Sequence, residues 1–233
     1  MTDLQPPVHS FYRSNISDRM LRAQSAVFDH LGISLNQCLD DTISHSDWLN
    51  GVFEGAAADD IVVVADIDAF PLRRDAFDQL VDAARDGAVA GLAQVANHKD
   101  PDKIYAGPMF MAVRASVWRN LGRPSMHRSE TADVAQGLTD AALAAGHPIH
   151  LVYPRFAIQP KWPLAGRGVF GIGTFYGELE FFHLFQSRLD ASLRLFEAVA
   201  RDTVAGRFDF AEYIEIMSSQ AAPQKRKRRF GLF

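Results

Sequence analysis

The chain has 233 residues, 48% of them hydrophobic and seventeen of them phenylalanine, enough to bury a sizeable core. Its formal charge is −4 although Lys225-Arg226-Lys227-Arg228-Arg229 is wholly basic, so the body is acidic and an electrostatic nucleic-acid binder is excluded. The single cysteine, Cys38, excludes an internal disulfide framework and a cysteine zinc site and fits a reducing, cytoplasmic setting. No apolar run approaches the ~20 residues needed to cross a bilayer, and the polar start Met1-Thr2-Asp3-Leu4-Gln5 is no signal peptide. Since no Ser/Gly/Pro-rich linker divides the middle, one domain is expected over 1–220, followed by a basic tail, 221–233.

Val8 to Tyr12 reads as a first strand, and Ser17 with Asp18 caps a helix through Met20, Leu21, Val27, Phe28 and Leu31 that stops at Gly32. Ile33 to Leu35 reads as a second strand. Ser46-Asp47 opens a second helix through Trp48, Leu49, Val52 and Phe53. Alternation of strand and helix from the first residues onward predicts an α/β fold, with a mainly parallel central sheet flanked by helices.

Ile61-Val62-Val63-Val64-Ala65 is continuously apolar, the pattern of a strand buried on both faces. Asp66 and Asp68 follow where that strand runs out. Two apart on an extended backbone, they point the same way, and open α/β sheets place ligands beyond the carboxyl ends of their strands. A hard divalent cation gripping a phosphate satisfies such a pair. The plainer alternative is two solvated aspartates that help to start a turn at Pro71.

After Pro71, Asp75 to Arg85 is amphipathic, with Phe77, Leu80, Val81 and Ala84 at helical spacing and Gly87 as its stop. Val89 to Val95 is the next strand. Met109 to Val113 is another, entered through Gly107-Pro108 and left by a helix around Trp118. Ala132 to Ala145 reads as a helix, Ile149 to Tyr153 as a strand, and Gly166 to Thr174, with four glycines, as a mobile loop.

From Val8 to about Arg188 the chain resembles a compact GT-A glycosyltransferase. Asp66-Ile67-Asp68 is similar to the Asp-x-Asp motif of that family, which implies Mn²⁺ or Mg²⁺ binding the diphosphate of a nucleotide-sugar donor, a UDP- or GDP-sugar. Tyr105-Ala106-Gly107-Pro108-Met109-Phe110-Met111 resembles the segment beneath the donor sugar, where Gly107 would allow close approach; a Gly-Pro turn before a strand equally needs no ligand. Glu130-Thr131-Ala132-Asp133-Val134 resembles the acidic residue at the head of a late helix, implying Asp133 or Glu130 as general base of an inverting transfer. Ala132-Asp133 stands where the family has a Glu-Asp pair, so the choice stays open. A first-turn acid is also simply favourable to a helix.

Phe181-Phe182-His183-Leu184-Phe185 resembles the segment that returns a histidine to the metal, giving Asp66, Asp68 and His183 as ligands; a hydrogen-bonded core histidine is the alternative. The resemblance also implies base and ribose over the first strand ends, with Tyr12 stacking on the base and Arg13 meeting phosphate, Arg13 being equally readable as a surface residue. The acceptor would be a glycan, a lipid-linked carrier or a protein. The tail, ending Phe230-Gly231-Leu232-Phe233, is a candidate for peripheral contact with an anionic membrane at its inner face; a solvated, disordered terminus is the alternative. Two rival functions stand beside this one. The first is a haloacid-dehalogenase-type Mg²⁺-dependent phosphohydrolase, whose strand also ends in Asp-x-Asp, and the second is a non-catalytic nucleotide- or glycan-binding module.

Overall fold

The computed structural model describes residues 5–96 and 99–219; the basic run Lys225–Arg229 and the apolar end Phe230 to Phe233 lie outside the described residues. The chain runs β1 (Val8–Tyr12), α1 (Asp18–His30), β2 (Leu35–Leu39), α2 (His45–Gly55), β3 (Ile61–Asp66), β4 (Ala69–Pro71), α3 (Arg74–Arg85), β5 (Val89–Ala96) and β6 (Asp100–Arg114). It continues with α4 (Ala115–Asn120), α5 (Gln136–Ala144), β7 (Ile149–Val152), β8 (Pro154–Pro163), β9 (Val169–Tyr176), β10 (Phe181–His183), α6 (Asp190–Ala205) and α7 (Phe210–Ser218).

The central sheet has the order β2-β1-β3-β6-β5-β7. Its pairings make β6 the one strand that runs against the other five, so the sheet is mainly parallel, as expected. The valine run explains its own place in the middle. Val63 and Ala65 face a core with Phe28, Phe77 and Phe110, while Val62 and Val64 face the opposite core with Trp48, Leu49, Phe53 and Trp118. Each such side chain contributes on the order of 2 kcal/mol by leaving water, which is why no polar residue interrupts the run before Asp66.

A second, antiparallel sheet, β4-β10-β9-β8, was not legible in the sequence. The expected mobile loop over Gly166 to Thr174 is in fact largely β9. Its glycines serve strand pairing: a Cβ on Gly171 would overlap the Gln159 carbonyl of β8, and Gly173 has φ +64 against Leu195. Glycine here marks close backbone approach between strands. Aromatic rings fill the space between this sheet and α6, with Phe70 and Phe196 centroids 4.9 Å apart and Phe175 and Phe182 also 4.9 Å apart.

Three further expectations shift. The second strand begins at Leu35, where the Ile33 to Leu35 run was expected to end. β6 passes straight through Gly107-Pro108, because three residues, Pro108 to Phe110, bulge out of the β5 ladder between the Leu92–Gly107 and Gly91–Met111 pairs. The helix expected from Ala132 starts at Gln136: Ala135 adopts a left-handed φ of 62°, which turns the chain before helical geometry can begin. Among the described residues, no helix is long and apolar enough to cross a membrane.

Candidate metal centre

β3 delivers Asp66 as its last residue, and a two-residue turn, Ile67-Asp68, leads into β4. Asp68 therefore stands on a turn and not on extended backbone, as its spacing from Asp66 had suggested. The buried Ile67 side chain pins that turn to the core. β10 then pairs antiparallel with β4, setting His183 opposite Ala69, and the Leu184 amide donates to the Asp68 carbonyl at 2.9 Å. Those pairings carry His183 to the carboxylates. One ligand atom from each of Asp66, Asp68 and His183 lies within 4.8 Å of the other two.

His183 Nε2 is 3.5 Å from Asp68 Oδ1, its ring is edge-on to Phe185 at 4.2 Å, and its Nδ1 is buried without a hydrogen-bond partner among the described residues. The donor set fits a divalent ion. Ligands at about 2.1 Å around an octahedral cation stand roughly 3–4 Å from one another, a spacing that this mixed oxygen and nitrogen donor set matches. The Nε2 side of the ring is the one turned to the carboxylates, so it is the nitrogen placed to join them as a ligand.

On the other side of the pair, His45 Nε2 is 3.5 Å from Asp66 Oδ1, its ring stacked on Phe11 at 5.8 Å and Trp48 at 5.7 Å. His45 is the first residue of α2, whose start is fixed by Ser44 and Asp47 capping each other. Sequence reasoning missed it. The one available signal was the Ser44-x-x-Asp47 box, which sets the helix start one residue before Ser46. Burial raises the Asp66 carboxyl above its ordinary range; His45 opposes the rise, Asp68 adds to it and His183 opposes it.

The carboxylates open on a cavity of about 230 Å³, lined also by Tyr12, Arg13, His45 and Arg188. The Arg13 guanidinium donates to the carbonyls of Asp41 at 3.4 Å and Ile43 at 2.6 Å, so it braces the loop after β2 while facing the cavity. Gly107 lies at the edge of the β6 bulge, where a Cβ would overlap the ends of the Met109 and Gln94 side chains, which would have to move to admit it. Arg188, in the cavity wall, drew no role from the sequence.

Asp133 is half-buried in the loop before α5. Its amide donates to Gln136 Oε1 at 2.9 Å, and its carboxylate accepts the Val134 amide at 2.9 Å. Lys99 holds this loop from below, donating to the Ala132 carbonyl at 2.8 Å and to that of Ser129. The buried Tyr105 phenol lies near enough to feel both acids: burial raises its pKa, and the charges of Asp133 and Asp66 raise it further. Glu130 is exposed on the same loop.

No protein-family model matches the chain, and no curated protein matches it in sequence. Among solved structures it is similar to 2-C-methyl-D-erythritol 4-phosphate cytidylyltransferase from Thermus thermophilus, with 13% identity and a TM-score of 0.45 over 85% of this chain and all of that one. It is also similar to a protein from Bacillus anthracis described as a glucose-1-phosphate thymidylyltransferase, in complex with a sucrose, with 10% identity and a TM-score of 0.43 over 84% of this chain and 95% of that one. Both are named as nucleotidyltransferases.

Proposed function

We propose that the chain is a GT-A glycosyltransferase that moves a sugar from a UDP- or GDP-sugar to an acceptor hydroxyl on a glycan, a lipid-linked carrier or a protein. The observation that carries this reading is the convergence of Asp66, Asp68 and His183 within 4.8 Å, at the end of a fully apolar strand and beside a cavity of about 230 Å³. Mn²⁺ or Mg²⁺ bound there supplies Lewis-acid neutralisation of charge on the leaving diphosphate.

The remaining work belongs to the chain. Asp66, Asp68 and His183 hold the ion, and Tyr12 and Arg13 line the side on which the base and phosphate would sit. Asp133 takes the proton of the acceptor hydroxyl in an inverting transfer, with its carboxylate held by the Val134 amide, and Glu130 is the fallback base. A base must come within hydrogen-bond reach of the hydroxyl it deprotonates, and the shared neighbour Tyr105 supports that proximity for Asp133 over the exposed Glu130.

A thermal-shift panel of nucleoside diphosphates and their sugars, with and without Mn²⁺, tests the reading through linkage. Stabilisation by one nucleotide sugar, dependent on Mn²⁺, is expected. A phosphohydrolase would instead turn over a phosphomonoester with Mg²⁺ and no nucleotide sugar, and a silent binding module would be stabilised without releasing nucleoside diphosphate.

A further inference from the structure

The inward face of α1 carries Met20, Gln24, Val27 and Phe28, all buried. Three are apolar, and a glutamine at 0% exposure among them is expensive unless every polar atom is met. Gln24 Nε2 donates to the Asp66 carbonyl at 2.9 Å and to the Ala69 carbonyl at 3.0 Å. Those two oxygens are the two ends of the turn that carries Asp68. Gln24 Oε1 accepts from Gln37 Nε2 of β2 at 3.0 Å, and Gln37 Nε2 also reaches the Leu21 carbonyl at 3.1 Å. One amide group therefore spans the turn with both its hydrogens, and a second amide fixes its orientation.

We infer that Gln24 is a positioning residue for the cation site: its carboxamide clamps the Asp66 and Ala69 carbonyls and so fixes the separation of the two ligating carboxylates. The inference rests on the metal-binding reading above. Gln24 itself does not line the cavity and touches neither carboxylate. Ligand placement to within about 0.5 Å is what a cation site demands, and loss of a group that orients first ligands typically weakens metal binding 10–100-fold.

The test is Mn²⁺ affinity read by electron paramagnetic resonance, from the loss of the free-ion signal on titration, with no donor or acceptor present. Wild type, Gln24→Met and Val27→Ala are compared below the melting temperature of each. Val27→Ala opens a cavity on the same face of the same helix and serves as the control for destabilisation alone. Expected is at least tenfold weaker Mn²⁺ binding in Gln24→Met and wild-type binding in Val27→Ala. Equal affinity in Gln24→Met, or an equal loss in Val27→Ala, overturns the inference and leaves the metal reading standing. Should Gln24→Met not fold, Gln37→Met, which removes only the bond that orients the amide, is expected to weaken Mn²⁺ about threefold; unchanged affinity there also overturns it. Absence of Mn²⁺ binding in wild type would overturn the metal reading itself.

Discussion

His183 Nε2 stands 3.5 Å from Asp68 Oδ1 because the next residue, Leu184, donates its amide to the Asp68 main-chain oxygen. A strand pair far apart in sequence thus turns a carboxylate pair into a three-donor cluster. Asp68→Asn and His183→Gln keep the size of each side chain, so the antiparallel pairing of β4 with β10 is expected to survive. Asp68→Asn should abolish Mn²⁺-dependent stabilisation, and His183→Gln should weaken Mn²⁺ about 10–100-fold, with melting temperatures of the metal-free proteins close to wild type. Calorimetric titration with Mn²⁺ checks both, and normal affinity in either variant removes that residue from the site.

Asp133→Asn keeps the hydrogen bond to the Val134 amide but removes a base. Turnover is expected to fall about 10²–10⁴-fold, with donor KM nearly unchanged. Steady-state kinetics on the donor that the thermal panel identifies measures this. The product's anomeric configuration, read by NMR, is expected to be inverted, since a retaining enzyme has no need of such a base.

Stability below neutral pH should depend on Asp202, which locks α6 to α7. Burial raises this carboxyl, but hydrogen bonds from Tyr213 at 2.7 Å, from Arg201 at 2.8 Å and from the Asp209 amide at 3.1 Å outweigh burial and leave it below its ordinary value. A depressed carboxyl stabilises the fold fully above the unfolded-state value of about 3.9, and that contribution is lost as pH falls through the folded value. Asp202→Asn is therefore expected to cost on the order of 1–3 kcal/mol at pH 7 and much less at pH 2–3. Guanidinium unfolding midpoints at the two pH values test the difference, and an equal loss at both contradicts it.

Truncation after Pro223 removes the five consecutive cations together with Phe230 and Leu232. Each basic residue near an anionic leaflet is worth about 1 kcal/mol, so flotation on anionic vesicles is expected for the full chain at low salt, to weaken with added salt and to be lost on truncation. Equal flotation of the two proteins rules out the tail as an anchor.

The central sheet was legible because the apolar run Ile61 to Ala65 has a single physical explanation, burial on both faces. Asp66 and Asp68 were legible for the same reason, as the first charges after it. The second sheet was not, since Gly171 and Gly173 carry the same letters in a mobile loop as in a strand pressed against Gln159 and Leu195. His45 and Gln24 were hidden for a different reason. Each reaches the site through contacts between elements, His45 to the Asp66 carboxylate and Gln24 to a main-chain carbonyl, and no local pattern announces such a contact. Asp133 was singled out by a motif as a candidate base, but the left-handed Ala135 that moves the helix start past it leaves no trace in propensity.

Binding of nucleotide by the two aspartates through a metal is the property on which the proposed function stands. Calorimetric titration of UDP and GDP into wild type and Asp68→Asn, each with Mn²⁺ and with chelator, tests it most directly. One of the two nucleotides is expected to bind wild type only when Mn²⁺ is present and to fail to bind Asp68→Asn under either condition. Binding that is indifferent to Mn²⁺ and to Asp68, or no binding of either nucleotide to the Mn²⁺-loaded wild type, would contradict it.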